Sequence, residues 1–347
     1  MRILFHDAVS ALAYDAEFMD RHGVGGTEGT VVRVAEGLSA AHEVCVAQRG
    51  RELSVSPHQR LRYVPLDEPR PFGGAPPDWI VVLRKHRLVP GLRARYPSAA
   101  LVSWIHNWQH GKIVILRRAL ARSGCVVVAV SEAHRADTDR RLNGRLARAI
   151  IGGGRIPVRR IYNPVDDALA PDDTPVDIDK MVCFSRKGLH RVLAAFAAVR
   201  GALPTLRLYI AGDDAVPAQA PGVHLLGRLP QHKVFRHVRE ALCVFYPQDE
   251  HPETFGLVFA EANALGVPVL AHDFGSAREV LGSEEQVVDA RNIPAIVDRL
   301  RAWRAGGRPR VSLRPELRSA SVVGEWRRLL ESAYSHSMVA GGLEEMS

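Results

Sequence analysis

No uninterrupted apolar run in the 347 residues approaches the ~18 that a membrane-spanning helix needs, which argues against an integral membrane protein. Cysteine is scarce. Cys45, Cys125, Cys183 and Cys243 each sit inside an apolar strand-like run (EVCVA, GCVVVAV, MVCFS, ALCVFY). Their spacing matches no zinc pattern, so buried free thiols in a reducing compartment are expected rather than disulfides or metal ligands. No Gly-Lys-Ser/Thr follows a glycine loop, which excludes a Walker loop, and no clean G-x-G-x-x-G marks a dinucleotide fold. No repeat of ~20–50 residues is visible. The opening MRILFHDAV enters a strand pattern at once and lacks the longer apolar core of a signal peptide. A cytoplasmic enzyme is the expectation, with peripheral association at the inner membrane face as an extension of it.

The composition is that of an ordinary globular protein, with 46% hydrophobic and 24% charged residues. The length predicts two domains. A net charge of +8 attracts nucleic acid, anionic lipid or phosphorylated small molecules without choosing among them. Much of it lies between Arg117 and Arg160, where Arg118, Arg122, Arg135, Arg140, Arg141, Arg145, Arg148, Arg155 and Arg159 also stand. A solvated basic face is the plainer reading, and contact with an anionic membrane or an anionic acceptor is the sharper one.

Taken in order, Arg2 to Phe5 reads as a strand, and Arg21 to Gly29 as a Gly-rich loop. A helix from Thr30 to Leu38 and a strand from Glu43 to Ala47 follow. Strands are expected at 78–83 and 100–106, with His106 where the second of these ends. Between Gly111 and Arg148 the pattern is helix (113–121), strand (125–130) and helix (132–142), with Ser131 as N-cap. A polar Pro- and Asp-rich stretch to Asp179 reads as a linker. Strands at 181–185, 206–213, 223–226 and 242–246 then alternate with helices at 189–199 and 234–241. This alternation predicts an α/β fold with doubly wound parallel sheets.

The segment from His251 to Val280 is the most informative. Glu253 and Glu261 stand eight positions apart (261 − 253) around the apolar Phe255-Gly256-Leu257 run. A helix starting near Phe255 would offer free N–H groups and its positive dipole end to an anion. Glu261 would lie about 9 Å further along the axis. One carboxylate could thus sit near phosphates while the other reaches hydroxyls on a neighbouring ring, the layout of a nucleotide sugar.

The string E-x7-E, with Ala264-x-Gly266-x-Pro268-Val269 and Gly275-x-x-x-Glu279, resembles the signature of retaining GT-B glycosyltransferases of family four (glycosyl transferases group 1). The resemblance implies two Rossmann-like domains facing a cleft. Residues 1–165 would bind the acceptor, 166–180 would link, and 181–318 would bind the nucleotide sugar. Residues 319–347 would supply a last helix returning to the first domain, plus a tail. It implies donor contacts from Gly25, Gly26, Phe255, Gly256, Leu257 and Glu261, with Glu261 on the ribose hydroxyls. His106, Glu253, Lys187 and Arg186 would form the catalytic set, Lys187 and Arg186 facing the diphosphate. Asn107 stands where the family often has Asp, Pro164 where it usually has Gly, and the interval before Lys187-Gly188 is shortened. Base contacts would come from backbone near Gly227-Arg228-Leu229.

The activity implied is transfer of a sugar from a nucleotide-diphosphate sugar to a hydroxyl acceptor, with retention, without metal and without a further cofactor. The acceptor could be a saccharide, a lipid-linked sugar or a small natural product. Nucleic acid is not expected as a partner. Three rivals stay open: a sugar-nucleotide epimerase or phosphorylase on the same fold, an NAD-dependent dehydrogenase, and a basic binding protein with a dead site.

Overall fold

The computed structural model describes residues 1–109, 112–184, 188–212 and 220–344. The chain starts with β1 (Arg2–Asp7), the short α1 (Ala16–His22) and α2 (Gly26–Ser39). Strands β2 (Glu43–Gln48), β3 (Val55–His58), β4 (Leu61–Pro65) and β5 (Trp79–Leu83) follow, then α3 (Val89–Arg95). Next come β6 (Ala100–Trp104), α4 (Lys112–Ile115), α5 (Arg117–Arg122), β7 (Val126–Ala129), α6 (Glu132–Asn143), α7 (Arg145–Ile151) and β8 (Val158–Arg160). The second half holds β9 (Asp177–Cys183), α8 (Leu189–Ala202), β10 (Arg207–Ala211), β11 (Val223–Gly227), α9 (Gln231–Arg239) and β12 (Ala241–Tyr246). It continues through α10 (Leu257–Ala264), β13 (Val269–His272), α11 (Ala277–Leu281), β14 (Val287–Val288), α12 (Ile293–Ala302) and α13 (Ser319–Glu344).

Contacts divide the chain into two units. Met1–Ala16, Gly25–Pro164 and the helix from Ser319 onward form the first, while Glu17–Val24 and Val165–Arg318 form the second. In the first, eight strands run in the order β3-β4-β2-β1-β5-β6-β7-β8, with β3 antiparallel to β4 and the other pairs parallel. The central strands are near-continuous runs of Val, Ile, Leu and Phe, as burial on both faces demands. Leu4, Ile80, Val82, Leu101 and Val127 meet Val89, Ile113, Leu120 and Leu142 in its core.

Helix α13 belongs to this unit because it packs on α2. A Cβ on Gly37 would lie 2.4 Å from the Val323 side chain, so the two helices meet at van der Waals distance there. Arg327 Nη2 donates to Gly37 O at 2.8 Å, and Arg160 pairs with Glu325 at 3.2 Å.

In the second unit six strands run in the order β11-β10-β9-β12-β13-β14, every pair parallel. β9 starts at Asp177, inside the stretch expected to be linker. Its polar residues are satisfied at the strand: Asp177 accepts from Arg207 at 2.8 Å, and the buried Lys180 pairs with Glu240 at 2.6 Å. Composition alone made this segment look like loop. In both sheets the chain leaves one central strand, builds outward, then returns to the other side. The resulting topological switch points lie between β1 and β5 and between β9 and β12, where open α/β sheets collect ligands at the carboxyl ends of their strands.

Candidate active site

In the second unit, Glu253 follows β12 and is held from three directions. Tyr246, the last residue of β12, donates its phenol to Glu253 Oε1 at 2.9 Å. Backbone N and Oγ of Ser276 both donate to Glu253 O at 3.1 Å. Gly275 pairs with Glu253 as an isolated bridge, at φ +68°, and a Cβ there would come 2.4 Å from Glu253 O. A side chain at 275 would therefore push Glu253 off its perch as well as strain the turn. Gln248 braces the same loop, donating to His251 O at 2.6 Å and accepting from the His251 and Glu250 amides at 2.9 and 3.1 Å.

The expected helix start at Phe255 is corrected by two residues. Gly256 adopts φ +79° and is the N-cap, so α10 begins at Leu257. A Cβ at 256 would lie 2.6 Å from the Phe259 ring, so the left-handed turn and the close ring together call for glycine. Phe255 is buried and contributes to packing, which leaves only its backbone for a ligand. Glu261 is also buried, and Gln231 Nε2, at the start of α9, donates to its Oε1 at 3.1 Å. Arg186 and Lys187 lie outside the described residues.

In the first unit, α2 already starts at Gly26, with Gly25 as its N-cap at φ −62°. The expected Gly-rich loop thus shrinks to Gly23–Gly25, preceded by α1. What the sequence pattern did not suggest stands next to this helix start. Asp7, the fully buried last residue of β1, accepts from Arg84 Nη2 at 3.1 Å on each oxygen. It also accepts from Tyr14 Oη at 2.9 Å and from the amides of Val9 and Ser10 at 2.9 and 3.2 Å. Arg84 Nη1 pairs with Glu28 at 3.0 Å, in the first turn of α2. Burial disfavours the Arg84 cation, but Asp7 and Glu28 more than offset it and raise its pKa. Burial, then Asp7, pushes the Tyr14 phenol well up, so it remains a donor. Arg84 is the one non-glycine with positive φ (+59°) among the described residues. A charged residue closing one buried strand and another directly following a second was the available signal.

His106 lies two residues beyond β6, buried against Trp104 with ring centroids 4.7 Å apart. Burial, with Arg84 and His134 beside it, holds its imidazole well below the usual histidine range. His134 Nε2 lies 3.0 Å from the Asn107 carbonyl, and burial pushes that ring down to about 4. Ser131 caps α6 as expected, accepting from the His134 amide at 3.1 Å. Both rings must be neutral in the folded state, so the stabilisation they confer is complete above the unfolded histidine pKa of about 6.5. It is lost as the pH falls from there toward 4, for His134 by up to about 3 kcal/mol. Urea midpoints followed by tryptophan fluorescence are expected to fall between pH 7 and 4.5. A midpoint that held level or rose in acid would contradict this.

The basic quarter divides into structural and solvated residues. Arg117 is buried, and its guanidinium donates to the carbonyls of Leu142 (2.5 Å), Gly152, Gly153 (3.1 Å) and Gly154 (2.8 Å). The expected 113–121 helix is divided at Leu116 into α4 and α5. Arg135 pairs with Glu132, and Arg140 and Arg141 with Asp137. Arg118, Arg122, Arg145, Arg148, Arg155 and Arg159 are exposed. No helix among the described residues is long and apolar enough to cross a membrane. The described residues also contain no group of three His, Cys, Asp or Glu able to hold a metal. All four cysteines are free and buried.

Two parallel-sheet domains of this kind define the GT-B class of glycosyltransferase folds. Residues 180–318 match the family model described as glycosyl transferases group 1. Among solved structures, the chain is similar to a sucrose-phosphate synthase from Thermosynechococcus elongatus. The TM-score is 0.65 at 17% identity, over 99% of this chain and 98% of that one. A glycosyltransferase from Rickettsia africae matches with a TM-score of 0.59 at 14% identity, covering 99% and 97%. A glycosyltransferase involved in avilamycin A biosynthesis matches at 0.58 and 19% identity, covering 95% and 98%. A search of curated proteins gives no match.

Proposed function

We propose that this protein moves a sugar from a nucleotide-diphosphate sugar to a hydroxyl acceptor, with retention and without a metal. The observation that carries the reading is the Glu253–Glu261 segment. Glu253 follows β12, one strand of the β9/β12 switch point, and Glu261 lies within α10, both in the segment matched by the group 1 family. The free N–H groups at Leu257 suit a diphosphate, and Glu261 is positioned along the helix to accept from ribose hydroxyls. Arg186 and Lys187 follow β9 in sequence and are the cations proposed for the leaving phosphate. Charge growing on that phosphate would be met by fixed dipoles and cations, and the departing oxygen would take the acceptor proton. His106, neutral at physiological pH, is proposed to face the transferred sugar as a hydrogen-bonding group rather than as a cation.

The test is a thermal-shift and saturation-transfer screen against UDP-, GDP-, ADP- and TDP-sugars. One nucleotide sugar is expected to bind with 1:1 stoichiometry, whereas binding of NAD alone would sink the proposal in favour of a dehydrogenase. In the same assay Glu261→Ala should weaken donor binding by about 1–3 kcal/mol, the cost of charge-assisted hydrogen bonds. Wild-type donor affinity in that variant would remove Glu261 from the site.

A further inference from the structure

Each of the two signature glutamates is reached by a neutral donor from a neighbouring element: Tyr246 Oη on Glu253 Oε1 at 2.9 Å, and Gln231 Nε2 on Glu261 Oε1 at 3.1 Å. The phenol is anchored independently of the glutamate. Tyr246 is the last residue of β12, buried, with its ring edge-on to Phe259 at 5.4 Å. Gln231 is the first residue of α9, and the loop before it carries Leu229, whose carbonyl lies 3.4 Å from where a Cβ on Gly23 would be. A hydrogen bond from a donor anchored elsewhere in the fold restricts the direction a carboxylate takes. Each bond ties one carboxylate oxygen to a neighbouring element and so restricts the glutamate's own three torsions.

We infer that Tyr246 and Gln231 are positioning residues, Tyr246 holding Glu253 for the reacting sugar and Gln231 holding Glu261 for the nucleotide. The assignment rests on the transferase reading, and the two positions have different kinetic signatures. Glu253 stands where charge changes during transfer, so loosening it acts on the transition state. Glu261 contacts a part of the donor that does not react, so loosening it acts equally on ground and transition states.

The experiment compares wild type, Tyr246→Phe and Gln231→Leu on the donor found by the nucleotide-sugar screen, with melting temperatures recorded for all three. Tyr246→Phe keeps the ring against Phe259 and should melt with the wild type. Its kcat is expected to fall about ten- to hundredfold, with the donor KM within about twofold. Gln231→Leu is expected to raise the donor KM about tenfold with kcat nearly unchanged. Kinetics unchanged in both variants, or a common loss of kcat that tracks lowered melting temperatures, would overturn the inference while the transferase reading stood. A wild-type chain that turned over no nucleotide sugar would sink that reading and the inference with it.

Discussion

Replacing Arg84 with methionine is expected to destabilise the first unit by about 3–5 kcal/mol, because it leaves a buried carboxylate without its counter-charge. Asp7 is fully buried, and Arg84 contacts both of its oxygens at 3.1 Å. Tyr14 and two backbone amides would stay on Asp7, but hydrogen bonds alone do not replace a cation in that environment. Methionine fills much of the space, so the loss would be electrostatic rather than a cavity. Glu28 would lose its partner too, and with it the tie between β5 and the first turn of α2. Adding Asp7→Asn to Arg84→Met should recover part of the loss, since the unpaired charge is then gone. Urea unfolding read by tryptophan fluorescence follows this unit, which holds Trp79, Trp104, Trp108 and Trp326 of the five tryptophans. A cost below about 0.5 kcal/mol, the scale of an ordinary surface substitution, would show that the ion pair is not what balances Asp7.

Trp326→Ala should cost a similar 3–5 kcal/mol for a different reason. Its side chain, on α13, is fully buried. It meets Trp104 edge-on at 4.7 Å and Phe5 at 6.5 Å, rings that belong to β6 and β1. Truncation would open a cavity under the helix and forfeit about 0.5–1.5 kcal/mol of ring contact beyond the buried area. Gly37 lets α2 approach α13 so closely that the helices have little freedom to settle into the gap. Scanning calorimetry should show the first unit melting roughly 10 °C or more below wild type. A shift under about 2 °C would mean that α13 is held by its polar ties, Arg160–Glu325 and Arg327–Gly37, rather than by this ring.

These two sites differ in how visible they were beforehand. Trp326 stands in a helical-period row with Val322, Val323, Leu329 and Leu330, so its burial followed from spacing. The pairing of Asp7 with Arg84 spans 77 positions and leaves no periodic trace. The His251–His272 stretch was legible because its glycines, prolines and apolar residues punctuate one short helix and one strand. The start at Leu257 instead of Phe255 was not, because Gly256 turns left-handed against a ring three residues on. Arg117 misled for the opposite reason. Among so many arginines it looked like one more solvated charge, and only the carbonyls of Gly152 to Gly154, folded back over α5, made a buried place for it.

Local order in the sequence therefore determined the alternation of strands and helices, the existence of two parallel sheets and the place of the paired glutamates. All three depend on hydrophobic period and on residues within one or two turns of each other. Tertiary structure alone decided which carboxylates are held and by what: Asp7 by Arg84, Glu253 by Tyr246, Glu261 by Gln231. It also assigned Glu17–Val24 to the second unit. The physical reason is that a hydrogen bond or ion pair needs only two groups within about 3 Å, and chain folding can bring that about at any separation in sequence.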